Sequence, residues 1–74
     1  MSGRRVSYIV LVKNYVYSRK CVKSAEVVGY VMEKLGLDES AKRLARLNVY
    51  RSLERLAELG FIKKISKGYY CVSG

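Results

Sequence analysis

The sequence lacks several residue types on which much protein chemistry depends. Its 74 residues include no His, Trp, Pro, Thr or Gln, and only two Asn, Asn14 and Asn48. The absence of histidine excludes Ser-His-Asp triads, histidine-ligated metals and imidazole acid–base catalysis. Acidic residues are also few, six in all, and no glycine-rich loop of the kind that cradles phosphate is present. We therefore expect no enzymatic activity, no cofactor, no metal and no small-molecule substrate.

Long apolar runs are missing as well. The longest, from Tyr8 to Val12, is far too short to cross a bilayer, and no small-residue cleavage site of a signal peptide follows it. We expect a soluble cytoplasmic protein with no membrane partner. The scarcity of amide side chains beside abundant Lys, Arg and Glu resembles the composition of thermophile proteins.

Basic residues dominate the charge. Fifteen Lys and Arg against six Asp and Glu give a net charge of +9 and a pI near 9.8. This excess predicts a polyanionic partner, with nucleic acid ahead of an acidic membrane surface. Half of the residues are apolar, which is enough for one compact core in a chain near the lower size limit of a single domain.

The glycines divide the chain into a clear order of elements. Ser24 is predicted to cap a helix that ends at Gly36, and Asp38 to cap the next, which ends at Gly60. Lys67-Gly68 supplies the tight turn of a hairpin. The predicted order is helix, short strand, helix, helix, strand, turn, strand, over residues 6–17, 19–23, 24–35, 38–59, 61–66 and 69–72.

The first of these segments has two interpretations. Its β-branched and aromatic residues are typical of a strand. Its length of twelve residues and the helical spacing of Ile9, Val12 and Val16 favour a helix. We predict a helix.

The last third of the chain, NVYRSLERLAELGFIKKISKGYYCV, carries a resemblance to a known family. It resembles the winged helix-turn-helix domains, in which a recognition helix V-Y-R-x-L-x-x-L-x-x-x-G-[LF]-I precedes a basic hairpin. Val22 to Val28 resembles the entry to the second helix of that family. The resemblance implies an α+β fold, with residues 1–5 as a basic N-terminal arm and 6–74 as a winged-helix domain. It also implies binding of double-stranded DNA by a small archaeal or archaeal-virus transcriptional regulator associated with the nucleoid.

Within the predicted recognition helix, Val49, Leu53 and Leu56 should face the core, leaving the basic residues outside. Arg46, Asn48 and Arg51 have side chains suited to base edges, while Tyr50, Ser52 and Arg55 suit phosphate oxygens. The alternative is that these charges only solvate an exposed helix face. The full set of predicted DNA-binding residues is Arg4, Arg5, Arg43, Arg46, Asn48, Tyr50, Arg51, Arg55, Lys63, Lys64 and Lys67.

The helix predicted over 38–59 is longer than is usual for a recognition helix. Either an extra turn and a half precedes the part that docks on DNA, or the helix breaks near Leu47-Asn48. Arg43 is the member of the DNA-binding set most affected by this choice. The arm with Arg4 and Arg5 either enters a minor groove or merely solubilises the terminus.

The first helix is apolar almost all round, more than one small core can cover. We expect part of it, with Tyr8, Leu11 and Tyr15 as the candidate residues, to form a homodimer interface. Such a dimer would set two recognition helices about 34 Å apart, one turn of DNA. The alternative is that the tyrosines hydrate their hydroxyls at the surface of a monomer.

The resemblance also implies a place for the two cysteines. In winged helices the strand after the first helix pairs with the last strand, which makes Cys21 and Cys71 neighbours, within reach of a disulfide. The alternative is two buried thiols that act as small hydrophobic side chains. A second hypothesis for the whole chain is a protein-interaction or ribosome-associated RNA-binding module, based on the tyrosines of the first helix.

Overall fold

A computed structural model describes residues 8–73 of the chain. This part contains three α-helices and a three-stranded antiparallel sheet in the order β1-β3-β2, as predicted for an α+β protein. The elements are α1 Tyr8–Arg19, β1 Cys21–Lys23, α2 Ser24–Leu35, a 3-10 turn Glu39–Ala41, α3 Lys42–Glu58, β2 Ile62–Ser66 and β3 Tyr69–Val72.

The first segment is a helix, as predicted, and not a strand. Val12 and Val16, four residues apart, are fully buried, which is the spacing that puts two side chains on one helix face. The helix continues two residues beyond the predicted Tyr17 to Arg19, and Lys20 reverses the chain with a left-handed φ of 76°. The predicted start at Val6 lies outside the described residues.

The start of α2 differs from the prediction by one residue. Lys23 is the N-cap and Ser24 is the first helical residue. The backbone N–H of Lys23 donates to Glu26 Oε1 at 3.1 Å, so the glutamate satisfies the group at the helix entrance. That bond, followed by one from the Tyr15 hydroxyl, holds the pKa of Glu26 below its ordinary value. The predicted Ser24 cap is therefore not formed, because Ser24 is the first helical residue and not the N-cap.

The long segment before Gly60 is divided near its start. Asp38 accepts from the backbone N–H of Ser40 at 3.1 Å and begins the 3-10 turn. From Lys42 to Glu58 the helix is continuous, so the predicted break near Leu47-Asn48 is wrong and an extra turn precedes α3. Gly36 and Gly60 end α2 and α3 with left-handed φ angles of 64° and 87°.

The sheet has the predicted hairpin and the predicted neighbours. Gly68 takes a φ of 74° in the two-residue turn between β2 and β3. Strand β1 pairs with β3 so that Cys21 is opposite Cys71, and a disulfide joins their sulfur atoms across 50 residues of sequence. Cys21 is exposed and Cys71 is half-buried, so the alternative of two buried thiols is wrong.

One core holds all these elements together. It lies between the three helices and the inner face of the sheet, where strand alternation places Val22, Ile62 and Tyr70. The helices supply Val12, Val16, Val27, Val28, Val31, Ala45, Val49, Leu53 and Leu56. Because α3 contributes residues along most of its length, its position relative to α2 and the hairpin is fixed by packing.

Candidate nucleic-acid interface

Residues 42–52, the first eleven of the seventeen residues of α3 and called its N-terminal half below, carry a dense cluster of positive charge. Lys42, Arg43, Arg46 and Arg51 are all exposed, and residues 42–52 include no acidic side chain. Within residues 8–73, none of these four cations has a carboxylate at ion-pair distance. The cluster is therefore available to an external anion.

The core positions of α3 decide where the cluster points. Val49, Leu53 and Leu56 are buried as predicted. At about 100° per residue, Arg43, Leu47 and Arg51 form a stripe on the side of the helix facing away from these three. Arg46 and Tyr50 lie on the flank toward α2, where they line a cleft of about 270 Å³ with Lys42, Ala25 and Val28.

Asn48 does not belong to this surface. Two residues along a helix turn about 200°, so the side chains of Arg46 and Asn48 are about 160° apart around the helix axis. Asn48 therefore lies on the flank opposite Arg46. Its side-chain Nδ2 donates to the backbone carbonyl of Leu44 at 3.0 Å, and the side chain is half-buried. Asn48, expected to suit a base edge, thus lies about 60° from Arg51 but on the opposite flank from Arg46, and Ser52, expected to suit phosphate oxygens, is buried.

Ser24 connects three elements beside the cluster. Its backbone N–H donates to the carbonyl of Gly68 in the hairpin turn at 2.8 Å. Its hydroxyl donates to the hydroxyl of Tyr50 on α3 at 3.2 Å. Ser24 is itself buried, and a Cβ added at Gly68 would lie 3.3 Å from its Oγ. We call this arrangement of Ser24, Tyr50 and Gly68 the Ser24 junction.

The junction sets the chemistry of Tyr50. The hydrogen bond from Ser24 lowers the pKa of the Tyr50 phenol, and Arg46 and Lys67 lower it further by favouring the phenolate. The contribution of Lys67 means that the hairpin turn adds its charge to the same region. The structure thus brings Arg46, Tyr50 and Lys67 together near the N-terminus of α2, and Arg43 shares a shallow depression with Arg46 and Tyr50.

The C-terminal half of α3 has a different character because its charges are compensated. Glu54 Oε2 accepts from the buried Tyr70 hydroxyl at 3.2 Å and lies 3.9 Å from Lys64 Nζ. Arg55 is 3.7 Å from Glu58 on the same helix. Burial, and then the hydrogen bond to Glu54, raises the pKa of Tyr70 to about 12. Lys64 and Arg55, both predicted DNA contacts, are thus paired within the chain.

The two lysines of β2 face opposite sides of the sheet. Lys63 is opposite Cys71 and lies on the outer face with the disulfide, whereas Lys64 is opposite Tyr70 on the side of α3. Lys67 is exposed in the turn. The three lysines therefore do not form one wing surface, and Lys67 is the one beside α2 and α3.

The tyrosines of α1 are largely engaged within the chain. The ring of Tyr15 stacks on Tyr30 with centroids 4.3 Å apart, and its hydroxyl donates to Glu26 at 2.8 Å. Tyr8 and Leu11 are half-buried against the core. The most exposed apolar side chains of α1 are instead Val10, at 49%, and Tyr17, at 41%.

Sequence reasoning missed two features of this surface. The joining role of Ser24 depends on contacts with residues 26 and 44 positions away, for which the sequence carries no signal. The exposure of Leu44 and Leu47, by contrast, follows from the helical spacing once Val49, Leu53 and Leu56 are placed in the core. Arg4 and Arg5 lie outside the described residues.

No helix among residues 8–73 combines the length and the apolar character needed to span a bilayer. The same part of the chain has no group of three Cys, Asp or Glu residues positioned to hold a metal ion. Comparisons with protein-family models, with curated proteins and with solved structures find no match to this chain.

Proposed function

We propose that this chain is a winged-helix protein that binds double-stranded DNA, with α3 as its recognition helix. The observation that carries the proposal is the Ser24 junction, which joins the start of α2, the hairpin turn and the acid-free half of α3 at one cationic surface. A helix of this kind fits the major groove of B-DNA, and the backbone contacts it needs on either side come from the flanking elements.

The positions of the side chains suggest their roles. Arg43 and Arg51 lie on the outward stripe of α3 and are the candidates for base edges, since arginine forms bidentate hydrogen bonds with guanine. Arg46, Tyr50 and Lys67 flank that stripe and are suited to phosphate oxygens. Arg4 and Arg5 remain candidates for a minor-groove arm. Asn48, Arg55, Lys63 and Lys64 become secondary, because of their pairing or position.

The experiment is a salt titration of duplex binding. Fluorescence anisotropy with a labelled random-sequence duplex should give a linear fall of log affinity with log salt, with a slope of about −0.9 for each phosphate neutralised. Four cations in the cluster predict a slope of about −3 to −4. Lys34→Gln, at the far end of α2, is the matched control and should leave the slope unchanged. A flat salt response contradicts the proposal.

The proposal includes a homodimer acting as a small transcriptional regulator at the nucleoid in the cytoplasm. Val10 and Tyr17 support the dimer better than the residues first expected, since they are the apolar side chains of α1 left exposed. Analytical ultracentrifugation should report twice the mass of 8.4 kDa, and Val10→Lys should return the monomer. A wild-type monomer at micromolar concentration contradicts this part alone.

The alternative of an RNA-binding or protein-interaction module receives less support. It depended on free tyrosines along α1, where Tyr15 is held by Tyr30 and Glu26 and Tyr8 is half-buried, which leaves Tyr17 as the exposed tyrosine of that helix. Competition between duplex DNA and structured RNA at physiological salt distinguishes the two. Preferential displacement of the protein by RNA would favour the alternative.

A further inference from the structure

Two leucines stand exposed in the middle of the cationic half of α3. Leu44 is 60% exposed and Leu47 is 49% exposed, although leucine usually contributes to a core. Neither belongs to the buried core. Because they are three residues apart on the helix surface, they form a small apolar patch among the cations of residues 42–52.

Leu47 lies within the stripe assigned above to base edges, and Leu44 lies beside it. Arg43, Leu47 and Arg51 follow one another at intervals of four residues, which places them on one face at steps of about 6 Å along the helix axis. Leu44 is about 60° to one side of Leu47. Leu47 also lines a shallow surface depression with Arg43, Arg46 and Tyr50. An apolar group is thus set between two arginines.

The surrounding charge identifies the kind of occupant. A second copy of the chain docked here about a two-fold axis would bring Lys42, Arg43, Arg46 and Arg51 against their own counterparts, with no acidic residue between positions 42 and 52 to compensate them. A duplex supplies negative charge at its rims and base edges at its centre. The apolar group that B-DNA displays in the major groove is the C5-methyl of thymine.

We propose that Leu47, assisted by Leu44, contacts thymine methyl groups and makes this protein selective for sites with thymine between the base pairs that Arg43 and Arg51 contact. The inference rests on the proposed function, since it requires α3 to enter the major groove. An axial step of about 6 Å is close to two base-pair steps of 3.4 Å. A thymine about two base pairs from each arginine contact is therefore expected.

The test uses deoxyuridine, which pairs like thymidine but lacks the methyl group. A preferred duplex is first selected from random DNA, and each thymine in it is then replaced singly by deoxyuridine. At one or two positions the wild-type protein should lose affinity about three- to fivefold, the effect of one buried methyl group. Leu47→Ala should bind the thymine duplex more weakly and no longer distinguish it from the deoxyuridine duplex.

The matched control is Leu59→Ala, which truncates a leucine exposed to a similar degree, 53%, at the opposite end of α3. It should retain the full sensitivity to deoxyuridine. Circular dichroism melting checks that each variant remains folded.

Each remaining outcome contradicts a different statement. Salt-dependent duplex binding that is unaffected by deoxyuridine at every position overturns the inference and leaves the proposed function standing. Loss of sensitivity in Leu44→Ala but not in Leu47→Ala overturns the assignment to Leu47. A protein that binds no duplex overturns the inference together with the proposed function.

Discussion

The two halves of α3 belong to one continuous helix and pack on one core, yet they differ in what their exposed charges do. Residues 42–52 carry four cations and no acid, and none of those cations is paired within the described part of the chain. Residues 53–58 carry one cation, Arg55, and two acids. Glu58 forms an ion pair with Arg55, and Glu54 forms an ion pair with Lys64 and accepts a hydrogen bond from the Tyr70 hydroxyl.

The difference shows that net charge alone does not locate a binding surface. Both halves contribute fully buried side chains, Val49 in the first and Leu53 and Leu56 in the second. The placement of two glutamates separates them. In the second half Glu54 contacts Lys64 and Tyr70 of the sheet and Glu58 pairs with Arg55 within the helix, whereas the cations of the first half have no such carboxylate among the described residues. The predictions below test this division, beginning with the largest effect.

The Cys21–Cys71 disulfide joins strands β1 and β3 of the sheet that packs against the second half. Strand β1 has only three residues, and closure of a loop of 50 residues contributes about 4 kcal/mol in the chain-entropy model. Reduction should lower the free energy of unfolding by about that amount, a large share of the stability of a small domain. Urea unfolding with and without dithiothreitol measures it. The double variant Cys21→Ala/Cys71→Ala should not respond to the reductant, and a change below about 1 kcal/mol in the wild type would contradict the estimate.

Two arginines of the same helix make the most direct test of the comparison. Arg46→Ala should weaken duplex binding to all sequences alike and reduce the steepness of the salt slope by about 1, because it removes a cation placed to contact phosphate. Arg55→Ala should change affinity less than about twofold and leave the slope unchanged, since Glu58 already lies beside its charge. Anisotropy titrations of both variants over a series of salt concentrations provide the measurement. Equal losses would remove the distinction between the halves.

Much of this fold follows from the sequence, because it depends on local rules. The helical spacing of Val49, Leu53 and Leu56, the glycines at 36, 60 and 68, and the Lys67-Gly68 turn each predict a feature that the structure has. The pairing of strands that brings the cysteines together was implied by the family resemblance. Of the two alternatives for the segment 38–59, the extra turn is present, as the 3-10 turn that Asp38 begins, and the break near Leu47-Asn48 is wrong because α3 is continuous from Lys42 to Glu58.

The composition of the candidate site was less predictable than the fold. The separation of Arg46 from Asn48 could be predicted, because it follows from the rotation of about 100° per residue along a helix. The pairing of Lys64 with Glu54 and the engagement of Tyr15 with Glu26 and Tyr30 required knowledge of which elements meet. Charges and aromatic rings that look free in a sequence are therefore the least reliable guides to a surface.

The next prediction concerns the hydrogen bond by which Ser24 contacts Tyr50 in the first half of α3. Ser24→Ala removes the hydrogen bond to Tyr50, which should cost about 0.5–1.5 kcal/mol of stability. It should also raise the pKa of Tyr50 toward its ordinary value, because that bond is the largest cause of the lowering. Tyrosine ¹³Cζ NMR titration, with Tyr50→Phe to assign the signal, measures the shift. If Ser24 only fills space, Ser24→Ala will leave both the pKa of Tyr50 and the affinity of the protein for a DNA duplex unchanged.

The smallest effect is expected from neutralising the acid that compensates the second half. Glu54→Gln releases Lys64, and if Lys64 then reaches a phosphate, the salt slope of duplex binding steepens by about 0.9.

The same variant should change the titration of Tyr70. The pKa of Tyr70 should fall from about 12 yet stay above 10, since burial is the larger cause of its elevation. Because the pKa of Tyr70 is higher in the folded state than in the unfolded chain, its contribution to the free energy of unfolding is complete below pH 10. That contribution declines as the pH rises toward 12, since Tyr70 loses its phenolic proton at a lower pH in the unfolded chain than in the folded protein. Glu54→Gln should therefore end this decline at a lower pH, as measured by urea unfolding between pH 9 and about 12. Glu58→Gln is the control, because it leaves Lys64 and Tyr70 untouched, and an identical response from both variants would show that Glu54 does not hold Lys64 away from the binding surface.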